Sequence, residues 1–419
     1  MTQDIYHDIQ ASHEPFTAIN DKKSTVNGDL NDYDISIKDN IVYEGLPTTA
    51  GSTILNGYNS SYTADVARFL EDEGATILGK TKMDAFGFGT YGQNTERPPR
   101  HPDSQDLVPG GSSTGSAVLT KLAPENHVSI AVSTGGSISC PAALCGVIGY
   151  TPTKGHVSRH GLIPYADSFD SIGCMATTIS SIQDVEPVIT QDTEKDMTHS
   201  VEHHGHDVNV IGIPEELSDL AINENVQESF NEYVARIQAS YDVRRVSLPT
   251  TYEHGVAAYY TIATSEASTN LARYDGLRYG EQPEPQGDYD DFAADHRGER
   301  FGLEEKRRVI LGTYIRTAGY DDKLYERAQT ARQHIKEELD DAFDDVDAIM
   351  TPAMPFAKKT IQEAEQEEPA ETYAADLLTT PPMLGNLPHL TLPSIPGGLQ
   401  VITPQHTDRD LLEEAKRLP

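Results

Sequence analysis

Segments with the pattern of β-strands alternate with segments of helical periodicity along most of this 419-residue chain. Short apolar runs, such as VSIAV at 128–132 and VNVIGIP at 208–214, are separated by amphipathic stretches such as ENVQESFNEYVARIQAS at 224–240. A periodicity that changes between strand and helix in this way is typical of helices packed on a sheet. The alternation therefore predicts an α/β fold whose sheet is covered on both faces by helices.

The remaining elements follow the same pattern. The longest helix is predicted from apolar residues that recur at steps of three and four and so share one face: Leu324, Ala328, Ala331, Ile335, Leu339 and Ala342. The acidic stretch at 361–371 predicts an exposed connection. Residues 1–32 are polar and weakly patterned, which indicates a short N-terminal arm or helix before a domain at 33–419. Further strands are predicted at 34–42, 75–78, 147–150, 241–248 and 347–355, and further helices at 63–74, 115–122, 141–144 and 259–273.

Acidic residues strongly outnumber basic ones. The chain has 66 Asp and Glu against 32 Lys and Arg, a formal net charge of -34. The acids are scattered among apolar positions rather than collected in a tail, which is typical of a folded protein with an acidic surface. Such a surface repels nucleic acid and destabilises the compact state at low salt, but salt near 1 M shortens the Debye length to about 3 Å. The simplest explanation is the cytosol of a halophile.

The sequence predicts a cytoplasmic protein that holds no metal ion. No apolar run approaches the roughly 18 residues of a membrane span, and the N-terminus lacks the pattern of a secretion signal. The three cysteines, Cys140, Cys145 and Cys174, are an odd number without metal-ligand spacing, which fits a reducing compartment. The histidines of HHGH at 203–206 indicate a solvated loop rather than a metal or catalytic site.

Two turns rich in glycine and serine are the candidate functional segments, VPGGSSTGSAV at 108–118 and STGGS at 133–137. Neither matches a phosphate-binding loop, because Gly115 is followed by Ser116 where the Walker pattern requires lysine. An ordinary surface turn remains an alternative. Two such turns beside helix starts also present hydroxyls and backbone N–H groups, which suits the binding of an oxyanion.

A serine nucleophile needs a base, and no His–Asp pair stands out in this sequence. Lys80 follows an apolar strand and precedes the glycine-rich segment TKMDAFGFGTYG. Burial lowers the pKa of a lysine and can make it a competent base. The alternative is a lysine whose stem packs on the strand while its amine reaches solvent, and periodicity alone favours that alternative.

Three ordered motifs resemble the amidase signature family: GKTKMDAFGFG at 79–89, PGGSSTGSA at 109–117, and the segment that begins STGGSISCPAALCG at 133. The resemblance implies a single large α/β domain with a central mixed sheet. It also implies a catalytic lysine, a serine in a cis peptide and a nucleophilic serine. On these motifs Lys80 matches the base, Ser112 the cis serine and Ser137 the nucleophile. The oxyanion hole matches the main chain of Thr134, Gly135 and Gly136.

Segments at 36–55, 266–280, 304–329 and 371–394 resemble the A subunits of glutamine-dependent aspartyl/glutamyl-tRNA amidotransferases. This resemblance implies a glutaminase that supplies ammonia for ATP-dependent transamidation of Glu-tRNA(Gln), Asp-tRNA(Asn) or both. Arg308 and Asp376 match the residues that hold the carboxylate and amino groups of glutamine, and Tyr259 matches a pocket tyrosine.

The implied partners are the B and C subunits, with tRNA contacted mainly through them. No cofactor is expected in this chain, since the partner uses the ATP and Mg²⁺ of the reaction. A stand-alone amidase of small amides and a catalytically weakened scaffold remain alternative functions.

The chain departs from the family pattern in both serine motifs. Ser133 and Ser139 stand where the family has Asp and Arg, which fits the loss of one ion pair and equally fits a weakened glutaminase. Thr114 replaces a glycine. The interval between the two motifs is one residue longer than usual, so spacing favours Ser113 as the middle serine, whereas the preceding PGG favours Ser112.

Overall fold

A single mixed β-sheet forms the centre of the fold. The computed structural model describes residues 2–284 and 287–419, and in these residues the sheet has eleven strands. In chain order they are β1 (Phe16–Ile19), β2 (Asp34–Lys38), β3 (Thr76–Thr81), β4 (His127–Ser133), β5 (Ile148–Thr151), β6 (Ser171–Ala176), β7 (Val210–Pro214), β8 (Asp242–Val246), β9 (Ala348–Pro352), β10 (His389–Leu392) and β11 (Leu399–Ile402).

Helices occupy most of the connections between these strands. The α-helices of the described residues are α1 (Thr2–His13), α2 (Asp65–Asp72), α3 (Thr114–Leu122), α4 (Ser139–Cys145), α5 (Ile179–Ile189), α6 (Glu224–Ile237), α7 (Pro249–Asn270), α8 (Tyr289–Arg300), α9 (Leu303–Asp322), α10 (Leu324–Phe343), α11 (Ile361–Gln366), α12 (Pro369–Ala374), α13 (Thr380–Gly385) and α14 (Asp408–Ala415).

The sheet has two parallel blocks with an antiparallel centre. The strand order is β1-β3-β2-β4-β6-β5-β10-β11-β9-β7-β8. Strands β3, β2 and β4 are parallel to each other, as are β9, β7 and β8, and the pairs between these blocks are antiparallel. The predicted α/β class with a central mixed sheet is confirmed.

Both faces of the sheet are covered. On β4, Val128, Ile130 and Val132 belong to the hydrophobic core that includes α2 and α5, whereas Ala131 packs with residues of α3 and α4. Since successive side chains of a strand point to opposite faces, helices must lie on each side. Strand β9 shows the same alternation, with Ile349 packed in a second core built from α7 and α10.

One predicted connection is more ordered than its sequence indicates. The acidic stretch at 361–371 is exposed as predicted but contains most of α11 and α12 rather than an irregular connection. Both helices begin with reciprocal capping hydrogen bonds, between Thr360 and Glu363 and between Glu368 and Glu371. These satisfy orphan backbone N–H groups and favour helix in a stretch that buries little apolar surface.

The first 32 residues, predicted as an arm or helix, pack onto the sheet. Helix α1 buries Tyr6 and Ile9, and Phe16 begins β1, which pairs antiparallel with β3 at one edge. This segment therefore contributes an edge strand to the sheet that residues 33–419 otherwise build.

The cysteines and the histidine-rich segment take no part in a metal centre within the described residues, where no group of three His, Cys, Asp or Glu side chains is arranged to hold an ion. The three cysteines are buried free thiols. His203 and His204 are exposed in a segment without helix or strand, as predicted for a loop. None of the described helices has the length and apolar character needed to cross a bilayer.

Candidate active site

The two glycine–serine turns meet beside the C-terminal ends of β2 and β4. Lys38 is the last residue of β2, and its Nζ lies 2.8 Å from Ser112 Oγ. The same Nζ lies 2.8 Å from Ser113 Oγ and 3.0 Å from the carbonyl oxygen of Val132. The Gly111–Ser112 peptide bond is cis, at the serine for which the resemblance implies it. A buried amine and a serine hydroxyl are thus in direct contact.

Lys80 lies on the opposite face of the sheet. In the parallel register of β2 and β3, Lys80 is level with Ile37, whereas Lys38 is level with Thr81. Because side chains alternate along each strand, Lys80 shares the face of Ile37 and points away from the face of Lys38.

The contacts of Lys80 correct the predicted base. Its Nζ donates to the carbonyl oxygen of Asp39 at 3.3 Å, to Asp39 Oδ1 at 3.2 Å and to Thr48 Oγ1 at 3.0 Å. The prediction that Lys80 adjoins Ser112 is therefore wrong, and Lys38 occupies that position. Strand β3 also runs on through Gly79 to Thr81 instead of ending at 78, which places Lys80 inside the sheet.

Sequence reasoning missed Lys38 because the alternation of β2 looks like that of a strand with one solvated face. Ser36 and Lys38 take the polar positions that alternate with Ile35 and Ile37, yet both are buried. The available signal was its place in the segment SIKDNIVYEG, which carries part of the family resemblance.

Burial sets the protonation of Lys38. Removal from solvent lowers the pKa of its amine to about 7, against the opposing charges of Asp84 and Asp170. An amine with this pKa is partly neutral at neutral pH and can accept a proton from a hydroxyl. Burial also lowers the pKa of Lys80, although the carboxylate of Asp39 opposes the shift.

Ser137 lies in the turn between β4 and α4, as the motif predicts. Its carbonyl oxygen accepts a hydrogen bond from Ser113 N at 3.2 Å, which joins the two turns. The turn also requires glycine, because a Cβ on Gly135 would lie 2.5 Å from the Tyr259 hydroxyl. A Cβ on Gly136 would lie 2.3 Å from Thr379 Oγ1.

Thr134, the third predicted oxyanion-hole residue, donates through Oγ1 to Asp170 Oδ1 at 2.7 Å.

The three predicted substrate residues share one narrow inner pocket with Ser137. Tyr259, Arg308 and Asp376 line it together with Gly111 and Gly136 of the two turns. The volume of this pocket is about 10 Å³. The structure therefore brings together a serine, a guanidinium and a carboxylate from distant parts of the chain.

Arg308 contacts a carboxylate, a hydroxyl and aromatic rings. Its Nε donates to Glu304 Oε1 at 2.7 Å and its Nη1 donates to Tyr165 Oη at 2.9 Å. The guanidinium also lies 4.9 Å from the ring centroid of Tyr373 and 5.0 Å from that of Tyr260. These contacts fix the guanidinium plane, and cation–π attraction to the rings adds to the ion pair.

Asp376 also accepts hydrogen bonds from other side chains. Tyr260 Oη donates to its Oδ2 at 2.5 Å, and Thr90 Oγ1 donates to its Oδ1 at 3.4 Å. Burial raises the pKa of Asp376 to about 6, with the Tyr260 hydrogen bond and Arg308 acting in the opposite direction. The carboxylate is thus mostly ionised at neutral pH.

A larger outer cavity connects with the inner pocket. Its volume is about 450 Å³, and Gly89, Thr90 and Arg308 line both spaces. Glu304 and Tyr373 line the outer side. The site is therefore entered from a cavity that ends at the guanidinium of Arg308.

The residues that depart from the family motifs are buried, and their side-chain hydroxyls lack hydrogen-bond partners. The hydroxyls of Ser133, Ser139 and Thr114 have no hydrogen-bond partner within the described part of the chain. Ser133 ends β4 and Ser139 begins α4. Because neither position is charged, no lone charge is left where the family has Asp and Arg.

The sequence profile of the amidase family matches residues 17–412. The chain belongs to the amidase family. Among related amidases, the A subunit of glutamyl-tRNA(Gln) amidotransferase from Natronomonas pharaonis is 40% identical over 97% of this chain and 100% of its own length. The protein of the same name from Haloarcula marismortui is 41% identical over 92% of this chain and 94% of its own.

A solved structure gives the same result for the fold. The crystal structure of the A subunit of glutamyl-tRNA(Gln) amidotransferase from Thermotoga maritima superposes with a TM-score of 0.81 at 29% identity. It covers 98% of this chain and 89% of that chain. The family resemblance and the fold that it implies are both confirmed.

Proposed function

We propose that this amidase is the glutamine-hydrolysing A subunit of an aspartyl/glutamyl-tRNA amidotransferase. The observation that carries the proposal is the placement of Arg308 and Asp376 in one pocket with Ser137. A guanidinium forks onto a carboxylate and a carboxylate accepts from an ammonium, so the pair suits the zwitterionic end of an amino acid. The names of the related proteins support the same assignment.

The first half of the reaction forms an acyl-enzyme. Neutral Lys38 takes a proton from the Ser112 hydroxyl, which takes one from Ser137, and Ser137 Oγ attacks the side-chain amide carbon of glutamine. The turn at Thr134, Gly135 and Gly136 stabilises the resulting oxyanion. The C–N bond then breaks, and the departing nitrogen receives a proton through Ser112 and leaves as ammonia.

The second half restores the enzyme. Water gives a proton to Ser112, which passes its own proton to Lys38, and the water oxygen attacks the carbonyl carbon of the glutamyl ester on Ser137. The ester C–O bond then breaks, Ser137 Oγ takes back a proton from Lys38 through Ser112, and glutamate is released. Each turnover therefore converts glutamine and water into glutamate and ammonia, and the lysine and serines end in their initial protonation states.

The ammonia serves the partner subunits in this proposal. The chain assembles with B and C subunits in the cytoplasm, and the partner uses ATP and Mg²⁺ to activate Glu-tRNA(Gln), Asp-tRNA(Asn) or both. An acidic surface fits a protein that leaves tRNA contact to its partner, because like charges repel.

A glutaminase assay with the Ser137→Ala chain tests the proposal. We expect ammonia release from glutamine by the wild-type complex, and none by the S137A complex because the attacking oxygen is gone. Ser218, which lies in a short helix after β7, provides a matched control, and S218A is expected to match the wild type.

The same assay separates the alternative functions. Wild-type activity only in the presence of B and C subunits and misacylated tRNA supports a coupled glutaminase. Hydrolysis of simple amides by the isolated chain, without preference for glutamine, would instead indicate a stand-alone amidase. Ammonia release by S137A at the wild-type rate would refute the mechanism, and an inactive wild-type complex would indicate a scaffold.

A further inference from the structure

Asp84 is a buried carboxylate that the mechanism above does not use. Its side chain is completely buried in the segment that follows β3. The Oδ1 atom accepts from Asn94 N at 2.7 Å and the Oδ2 atom accepts from Gly92 N at 3.1 Å. No lysine, arginine or histidine of the described residues forms a salt bridge with it. The carboxylate is thus satisfied by backbone amides, and its charge is not neutralised by contact.

This carboxylate packs closely against the turn that carries Ser112. Asp84 N donates to the carbonyl oxygen of Ser112 at 3.2 Å. A Cβ added to Gly111 would lie 1.9 Å from Asp84 Oδ2, and one added to Gly89 would lie 2.4 Å from the same atom. Asp84 therefore joins distant parts of the connection between β3 and α3 at the residue that precedes the relay serine.

The charge of Asp84 raises the pKa of Lys38, although the two side chains form no hydrogen bond with each other. The amine of Lys38 contacts only Ser112, Ser113 and a carbonyl oxygen among the hydrogen bonds of the described residues. Two carboxylates, Asp84 and Asp170, favour its protonated form.

Other charged groups complete this environment. The charge of Glu304 raises the pKa of Asp84. The charge of Lys154 and a hydrogen bond from Thr134 lower the pKa of Asp170, against the larger effect of its burial. Burial raises the pKa of Asp84 to about 7, and the hydrogen bonds from Asn94 and Gly92 together with the charge of Lys38 act in the opposite direction.

A relay of this kind needs a base that both takes and holds a proton. Burial alone makes an amine neutral but also weakens it as a base, because the ammonium that forms is poorly solvated. A nearby carboxylate stabilises that ammonium in the step in which Ser112 loses its proton. A carboxylate in contact with Lys38 would instead pair with it directly, as Asp39 does with Lys80.

We propose that Asp84 is a positioning residue for the Lys38–Ser112 pair. Its backbone and carboxylate hold the turn that carries Ser112, and its negative charge stabilises the proton that Lys38 accepts. The inference rests on the proposed glutaminase function, since it concerns the same relay. It goes beyond that function by assigning part of the basicity of Lys38 to a residue outside the lysine and the two serines.

The Asp84→Asn substitution tests this role through the pH dependence of kcat/KM for glutamine. Asn keeps the shape but removes the charge, so the protonated form of Lys38 is less favoured. We expect the acid limb of the profile to move to lower pH by about one unit, with a reduced plateau because the base is weaker. Asp242 on β8 is exposed at the far edge of the sheet, and D242N is expected to keep the wild-type profile.

A merely structural Asp84 gives a different result. In that case D84N lowers the plateau but leaves the acid limb at the wild-type pH, which would overturn the proposal. Thermal unfolding of each variant shows whether the compared chains are folded. An inactive wild-type complex would count against the proposed function rather than against this inference, because the titration below does not need turnover.

A reciprocal titration tests the coupling without the D84N chain. If Asp84 stabilises the ammonium of Lys38, the ammonium must equally stabilise the carboxylate of Asp84. In the Lys38→Met chain we therefore expect a buried carboxyl group to take up its proton at higher pH than in the wild type, as observed by infrared difference spectroscopy. Lys22 is exposed, and K22M should titrate like the wild type. Identical carboxyl titrations in K38M and wild type would overturn the proposal.

Discussion

At the residue scale, Arg308 shows how a substrate-binding charge is fixed before substrate arrives. The side chain is buried, and its Nε and Nη1 atoms already donate to Glu304 and Tyr165. A guanidinium held in one plane can present two N–H groups to a carboxylate with little further loss of conformational entropy. Lysine has the same charge but no such fork, which makes the exchange of the two informative.

The Arg308→Lys substitution is expected to raise KM for glutamine about ten- to a hundredfold with a smaller change in kcat. One charge-assisted hydrogen bond contributes about 1.5–3 kcal/mol, and this substitution removes the bidentate geometry while the reacting groups stay in place. Steady-state ammonia release measures both constants. Arg307 lines only the outer cavity and provides the control R307K, which should keep the wild-type KM. An equal fall of kcat and kcat/KM in R308K would contradict a role in ground-state binding.

The serines of the two motifs could be placed from the sequence, whereas the residue patterns of β2 and β3 did not identify the base. Ser137 and Asp376 line one pocket, and Ser112 lies in the adjoining turn in contact with Lys38. Lys38 is the last residue of β2 and Lys80 the next-to-last residue of β3, and which of them meets the serines depends on the sheet face to which each side chain points. A shift of one residue moves a side chain to the other face of a sheet, and no local pattern in these strands reveals it.

At the scale of elements, the buried ion pair of Lys80 and Asp39 joins the ends of β2 and β3. Both side chains are fully buried, and Asp39 Oδ2 also accepts from the backbone and hydroxyl of Thr49. Asp39 directly follows Lys38. The pair therefore fixes the chain at the point where the base leaves the strand, although it lies on the other face of the sheet.

Removing one member of this pair is expected to destabilise the protein strongly. We expect Lys80→Met to lower the free energy of unfolding by about 3–5 kcal/mol, because it leaves the Asp39 carboxylate buried without a cation. The double variant K80M/D39N should recover part of this loss, since the Asn still accepts from Thr49 but carries no charge. Urea denaturation measures both. A double variant no more stable than K80M would show that the lost charge pairing is not the cause.

Elements with strong periodicity were predictable, and short buried ones were not. Helix α10 and strands β4 and β7 lie where their patterns indicate, within a few residues. Strand β10 has only four residues, and β6 (SIGCMA) is buried along its whole length, so neither shows alternation. Tertiary packing rather than local sequence determines where such strands form. It also determines the order of the eleven strands in the sheet.

At the scale of the whole molecule, the net charge of -34 governs stability as a function of salt. We expect the melting temperature to rise as KCl increases from about 0.1 M to about 1 M, because the Debye length falls from about 10 Å to about 3 Å and repulsion between surface carboxylates is screened. Differential scanning calorimetry measures the transition. Sucrose at matched osmolality controls for general solvent exclusion, and a melting temperature that is independent of KCl would contradict the expectation.

The narrow inner pocket has a consequence for how this amidase distinguishes glutamine from other amides. A volume of about 10 Å³ is about that of a single water site. Arg308 and Asp376 already have protein partners there, Glu304 and Tyr260. Glutamine therefore meets two charges that the protein already holds in place, and it must bring a carboxylate to one and an ammonium to the other. An amide that offers only one of the two groups would leave the other buried charge without its match, so discrimination depends on the number of charges matched more than on shape.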